Sequence, residues 1–218
     1  MNAEPHCLHA DDSLLVLDKP AGLLCVPGRG PDKQDCLSAR AQARWPDALI
    51  VHRLDQPTSG LVLMARGPAM QRALSQAFAE RRVHKRYQAV VGGRLSAPGD
   101  ADAEGWSDIT LPIAADWERR PLRVIDGARG QPSHTRWRVL AHDDAADTTR
   151  VELEPVTGRT HQLRVHLAAL GHPILGDALY ADAATQARAP RLLLHACALA
   201  FAHPLHGRWY SFDVQPPF

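Results

Sequence analysis

The absences in this chain narrow its class before any motif is considered. No stretch of about 18 apolar residues occurs, so no membrane-spanning helix is expected. Residues 1–12 are polar and acidic where a secretory signal would be basic and then apolar, which makes the cytoplasm the expected compartment. The four cysteines (Cys7, Cys25, Cys36, Cys197) include no CxxC pair. That spacing suits reduced, partly buried thiols and offers neither a disulfide framework nor a zinc site. Twelve histidines show no HExxH or HxH pairing. His161 and His166, five apart, would point roughly 140° from each other on a helix, so no metal is expected. Lysine is scarce, at three against 22 arginines, and a net charge of +1 gives no overall basic field.

What remains is the composition of an ordinary globular protein: 218 residues, 45% hydrophobic and 22% charged, enough for one substantial core or two small domains. The charge is unevenly distributed. Residues 72–94 hold six Arg or Lys (Arg72, Arg81, Arg82, Lys85, Arg86, Arg94) against Glu80 alone. Residues 119–138 hold six more (Arg119, Arg120, Arg123, Arg129, Arg136, Arg138) against Asp126. Acids concentrate instead in residues 100–116 and 143–147. Two basic zones on a nearly neutral chain suggest a footprint for phosphates, with a solvated arginine-rich face as the alternative.

Hydrophobic patterning predicts a strand over residues 14–18, a turn at Lys19-Pro20-Ala21-Gly22, and a helix over 35–44 that stops before Trp45-Pro46. Pro68 is placed for a helix start, and Met70, Leu74, Ala77 and Phe78 make its core-facing stripe. Alternation around Tyr87, Ala89 and Val91 reads as a half-buried strand. Residues 96–105 read as a loop, 135–140 and 150–153 as strands, and 161–170 as a helix stopped by Gly171. Residues 192–201 and 208–214 read as a closing antiparallel pair. Many strands, three helices and no βαβ rhythm indicate an α+β fold with a mixed, largely antiparallel sheet.

The most informative segment is His52-Arg53-Leu54-Asp55-Gln56-Pro57-Thr58-Ser59-Gly60, followed by the apolar run Leu61 to Ala65. It sets a carboxylate, Asp55, beside a guanidinium, Arg53, at a turn entering a buried strand. Such an acid is a candidate nucleophile or general acid/base, a turn-capping aspartate being the alternative. The segment resembles the HRLDxxTSGLLLLAK motif of the RluA family of RNA pseudouridine synthases. Three further blocks resemble that family in order: Lys85-Arg86-Tyr87-Gln88-Ala89-Val90-Val91, then Gly158-Arg159-Thr160-His161-Gln162-Leu163-Arg164-Val165-His166, then Arg191-Leu192-Leu193-Leu194-His195-Ala196. Asp116-Trp117-Glu118-Arg119-Arg120-Pro121 is similar to the DWxxRP segment of its minimal branch.

The resemblance implies a pseudouridine synthase fold: a bifurcated sheet with flanking helices and a central RNA-binding cleft. Residues 13–218 would form one catalytic domain of two sub-halves, after a short tail at 1–12 with no room for an S4 domain. It implies Asp55 as the catalytic acid, Arg159 as its partner across the cleft and Tyr87 against the target base. Arg53 would fill the space left by a flipped nucleotide, and Leu194 would wall the uracil pocket. Lys85, Arg86, Arg119, Arg120, His161, Gln162 and Arg164 would contact RNA or support the site, while His52 and Leu54 support the loop. No cofactor is expected. The expected substrates are a 23S rRNA hairpin and the tRNA anticodon stem-loop, bound by a monomer without membrane association. A non-catalytic RNA-binding module and a base-releasing hydrolase are the competing classes; the latter lacks a clear second carboxylate.

Overall fold

The computed structural model describes residues 6–96, 99 and 101–218; residues 97, 98 and 100 of the expected loop and 1–5 of the expected tail lie outside it. The chain divides into two compact units, one of residues 1–85 with 195–217, the other of residues 86–194 with 218. The first opens with β1 (His6–Ala10), β2 (Leu14–Lys19), α1 (Leu37–Arg44), β3 (Ala48–Ile50), β4 (Ser59–Arg66) and α2 (Gly67–Ala79). β5 (Val83–Gly92) leads into the second unit, with β6 (Ser107–Ile109), β7 (Ile113–Ala115), β8 (Arg123–Ile125), β9 (Thr135–Asp143) and β10 (Thr148–Pro155). Helices α3 (Gln162–Ala169) and α4 (Ala183–Ala187) follow, and β11 (Leu194–Ala202) and β12 (Trp209–Asp213) return the chain to the first.

In the first unit β4 is paired on both edges, antiparallel to β2 and parallel to β11 through His195↔Ser59 and Ala196↔Gly60. A strand enclosed in this way reads as a continuous apolar run, and residues 59–65 are all buried. β1 pairs antiparallel with β2, so the segment read as a tail carries a strand. β12 pairs antiparallel with β11, as its patterning predicts. Helix α2 carries Pro68 in its first turn and buries Met70, Leu74 and Ala77 against Leu14, Val16, Leu61, Leu63 and Phe201. Complete burial of Leu74 contributes about 1.5–3 kcal/mol. Phe78 sits at the edge of the predicted stripe: half-buried, it packs against the same cluster and stacks on the His52 ring at 4.5 Å.

The second unit is an antiparallel ladder of β5, β10, β9 and β6, with a separate β7–β8 hairpin. Ala89, Val91, Trp137, Val151 and Leu153 pack there against Leu163 and Leu167 of α3. Helix α3 begins one residue later than predicted because His161 is left-handed, at φ 58°. It ends as predicted at Gly171 (φ 83°). The Gly171 and His172 amides donate back to the Ala168 and Leu167 carbonyls, closing a Schellman motif. The short strands β3, β6, β7 and β8 and the five-residue α4 escaped the patterning, being too brief to establish a period. The α+β class holds, and no helix among the described residues is long and apolar enough to cross a membrane.

Gly60 marks where a Cβ is impossible. Its φ is +111°, and a Cβ there would lie 2.3 Å from the Ala196 carbonyl oxygen on β11. Gly60→Ala is expected to destabilise the fold by at least about 2 kcal/mol, through the left-handed backbone and a forced separation of β4 from β11. Urea midpoints of the variant and the parent check this; an unchanged midpoint would contradict the close approach.

Candidate active site

In the first unit Asp55 lies on the loop between β3 and β4, half-buried, with Arg53 exposed beside it. The loop has no regular ladder of its own, so single contacts hold it. His52 Nε2 accepts the Leu63 amide at 2.9 Å. Leu54 is buried and its amide donates to Cys25 Sγ at 3.2 Å. The Thr58 amide donates to the Asp55 carbonyl at 3.1 Å. The Gln56 carbonyl accepts the Gly22 amide at 2.8 Å and Lys19 Nζ at 3.1 Å, and Gln56 Nε2 donates to the Gly22 carbonyl at 3.0 Å. Lys19 has no solvent exposure, and its ammonium also donates to the Pro20 and Leu23 carbonyls. Below the loop, Ser59 Oγ meets His195 Nδ1 at 2.8 Å, both residues being buried.

His52 and Leu54 therefore support the loop, as the residue pattern suggests. Lys19, Cys25, Ser59 and His195 were not singled out for this task. The only sequence signal for Lys19 was the turn it opens. Burial and nearby Lys85 push the His52 imidazole down to about 3, so it is neutral and free to accept the Leu63 amide. Burial also lowers the Lys85 ammonium, which sits 5.9 Å from the Phe78 ring. Burial raises the Cys25 thiol, against the opposing pull of Lys19 and Arg53.

In the second unit Arg159 stands exposed on the turn before α3, where its Nε donates to the Pro132 carbonyl at 3.2 Å. Gln162 holds that turn from beneath. Its Oε1 accepts Thr157 Oγ1 at 2.7 Å and the Arg159 amide at 3.0 Å. Its Nε2 donates to the His134 carbonyl and to Thr135 Oγ1, each at 2.9 Å. Thr135 Oγ1 also meets His166 Nδ1, and His166 Nε2 meets the Leu111 carbonyl, each at 2.9 Å. A carbonyl partner requires Nε2–H, which leaves Nδ1 to the threonine hydroxyl. Burial lowers the basicity of the imidazole.

Arg164 donates to both oxygens of Asp177, at 2.8 and 2.6 Å, with the two side chains 3% and 0% exposed. Its guanidinium lies 5.1 Å from the Tyr180 ring, and the Tyr180 hydroxyl meets His161 Nδ1 at 2.6 Å. Of the two roles expected of Gln162 and Arg164, their geometry fits support of the site and not contact with RNA. Both are 3% exposed and committed to protein partners: Gln162 positions the turn that presents Arg159, and Arg164 ties α3 to Asp177. Tyr87 is half-buried opposite Leu153 and packs against the cluster that contains Leu194. Leu194 is itself 3% exposed.

The two basic zones are largely neutralised. Arg82 pairs with Glu80, Arg86 with Glu152 and Glu154, and Arg94 with Asp144. Arg119 pairs with Asp116, Arg129 with Asp126, Arg136 with Asp102, and Arg138 with Glu152. Arg86, Arg136 and Arg138 also converge on the Trp106 ring, at 5.4, 5.0 and 4.7 Å. Among the described residues Arg120, Arg123 and Arg159 have no carboxylate partner within ion-pair distance.

Residues 13–169 match the family described as RNA pseudouridylate synthase. The chain is 45% identical over 211 residues to the dual-specificity RNA pseudouridine synthase RluA of Pasteurella multocida (strain Pm70), covering 97% of this chain and 93% of that protein. The protein of the same name from Yersinia pestis is 43% identical over 211 residues, covering 97% and 98%. Among solved structures, human RNA pseudouridylate synthase domain containing 1 matches with a TM-score of 0.79 at 31% identity, covering 98% of this chain and 84% of that one.

Two outcomes follow for the supports. Arg164→Ala leaves a buried carboxylate without its partner and is expected to cost about 3–5 kcal/mol in urea unfolding; a loss below about 1 kcal/mol would refute the tie. For His52 the folded basicity lies below the unfolded value of 6.5. Stability is unaffected above that value and falls as pH drops from about 6.5 towards 3, because only the unfolded chain takes up the proton. Between pH 7.5 and 5, His52→Gln is expected to lose about 1–2 kcal/mol less than the parent; equal losses would show that the imidazole is not held neutral.

Proposed function

Because the chain belongs to the RluA family of RNA pseudouridine synthases, we propose that Asp55 supplies the carboxylate for uridine isomerisation within hairpin loops of two RNA classes. The protein is an isomerase that acts on RNA. The reaction breaks the C1′–N1 bond, turns the base and joins C1′ to C5; the C5 proton leaves and N1 gains one. An ionised carboxylate meets the need for a nucleophile at C1′ or C6, or for a base at the sugar. The loop geometry around Asp55 carries this reading: strands, Cys25 and the Lys19 ammonium fix the main chain on either side of a half-buried carboxylate. A preorganised acid needs no reordering when substrate arrives.

The family resemblance gives Arg159 the role of partner to the acid, since an opposite charge favours the ionised form of a carboxylate. Tyr87 lies against the uracil and assists late removal of the C5 proton, and Leu194 walls the base. A stacked uridine must first leave its stack, at a cost of about a few kcal/mol. Arg53, exposed beside Asp55, fills the vacated space with its planar guanidinium. The relatives named dual-specificity support two substrates, taken here as a 23S rRNA hairpin and the tRNA anticodon stem-loop.

Tritium release from C5-labelled uridine in both transcripts tests this directly. Wild type is expected to release tritium from each. Asp55→Ala is expected to lower release by at least about a thousandfold while binding RNA within a few-fold of wild type. Release from one transcript only would remove the dual assignment and keep the chemistry. Full release by Asp55→Ala would remove Asp55 from the mechanism, and free uracil among the products would indicate a hydrolase.

A further inference from the structure

The connection between β7 and β8 carries an aromatic side chain with no part in either core. Trp117 is 69% exposed, belongs to neither hydrophobic cluster, and has the Arg120 guanidinium 3.9 Å from its ring. Exposure alone is ordinary for a single apolar side chain, and what sets this indole apart is its surroundings. Trp117 also borders a groove of about 530 Å³, shared with Arg123, Arg129, Gly158, Arg159 and Thr160. Among the described residues no acidic side chain lines it. Asp126 neutralises Arg129, while Arg123 and Arg159 have no carboxylate partner among the described residues. Arg123 Nε is buried without a hydrogen-bond partner there, although the Arg123 amide is held by the Tyr180 hydroxyl at 3.0 Å.

An aromatic face beside the Arg123 guanidinium is complementary to one nucleotide, with its base on the ring and its phosphate on the cation. We propose that Trp117 is a stacking platform for an unpaired nucleotide of the substrate RNA other than the uridine that reacts, with Arg123 contacting that nucleotide's phosphate. This rests on the reading of the protein as a hairpin-loop isomerase and adds a specificity-determining residue to it. Arg120 completes the platform: by covering the indole it fixes the ring before RNA arrives, and a planar cation favours the π-face. The same feature explains how one chain reads two hairpins, since every base has a face to stack while hydrogen-bond edges differ.

The test compares wild type, Trp117→Ala and Trp117→Phe on the anticodon stem-loop transcript. Filter binding gives Kd over a salt series, and tritium release gives the single-turnover rate at saturating RNA. Trp117→Ala is expected to raise Kd about tenfold, with Trp117→Phe recovering most of it. The saturating rate and the salt slope should stay unchanged, because a stack neutralises no phosphate. A series of transcripts with single abasic loop positions then identifies the partner: removal of one base weakens wild type but adds nothing in Trp117→Ala. Equal Kd for wild type and Trp117→Ala, or additive losses at every loop position, overturns the platform while leaving the isomerase intact. Wild type that binds and isomerises neither hairpin overturns the functional reading and this proposal with it.

Discussion

The lysine ammonium shut away from solvent at the end of β2 is the constraint on which the Asp55 loop depends. A buried cation without acceptors is prohibitively costly, and Lys19 meets that demand with the carbonyls of Pro20, Leu23 and Gln56 at 2.9, 2.8 and 3.1 Å. Two of these belong to the turn that follows the strand; the third belongs to the residue after Asp55. Satisfying one charge therefore ties two separate loops together. The Gly22 amide and the Gln56 side chain close the same gap from either side. Position passes from the paired strands β2 and β4 through Lys19 to Gln56 and so to the catalytic candidate, which lies on a segment that would otherwise be among the least stable in the unit.

The second unit solves a similar problem with neutral groups. Arg159 stands on a turn with few backbone bonds of its own. The Gln162 amide takes the Arg159 N–H and fills its remaining sites with Thr157, Thr135 and the His134 carbonyl. Because all its donors and acceptors are engaged, the amide cannot flip without losing several bonds at once. Next along the helix, Arg164 is held by both oxygens of Asp177, which also accepts the Leu179 and Tyr180 amides. Tyr180 then meets His161, the residue whose left-handed backbone turns the chain into α3. Strain at that residue is tolerable because the surrounding bonds determine it from several directions.

Much of this was legible in the residues. The buried run after Gly60, the helix on Pro68 and the stop at Gly171 follow from periodicity and backbone preference, and the structure places them within a residue or two of expectation. Short strands such as β7 were not, because three residues cannot distinguish a period of two from one of 3.6. The charge pattern was misleading for a different reason. Arg119 and Asp116, or Arg129 and Asp126, lie three residues apart within turns whose carboxylates cap nearby amides. A count along the chain separates acids from bases over windows of twenty residues, whereas pairing across a turn or a ladder brings Arg138 onto Glu152 and Arg136 onto Asp102. Buried roles were hidden for the same reason. Nothing local distinguishes the arginine of Gln162-Leu163-Arg164 that pairs inwardly with Asp177 from one that would reach a phosphate.

This division between inward and outward polar groups decides how substitutions must be interpreted. Lys19, Gln162 and Arg164 act through geometry, so removing any of them loosens a loop and lowers stability together with turnover. A kinetic loss in such a variant says little about contact with substrate, since leaving a buried polar partner unsatisfied already costs about 1–3 kcal/mol. Asp55, Arg53, Arg159 and Trp117 are half-buried or exposed. On the proposed reading, a loss in binding from truncating Arg53 or Trp117 reports on the RNA. The main-chain supports of the Asp55 loop are buried and the candidate side chains are accessible, so a stability measurement beside each kinetic one tells the two kinds of residue apart.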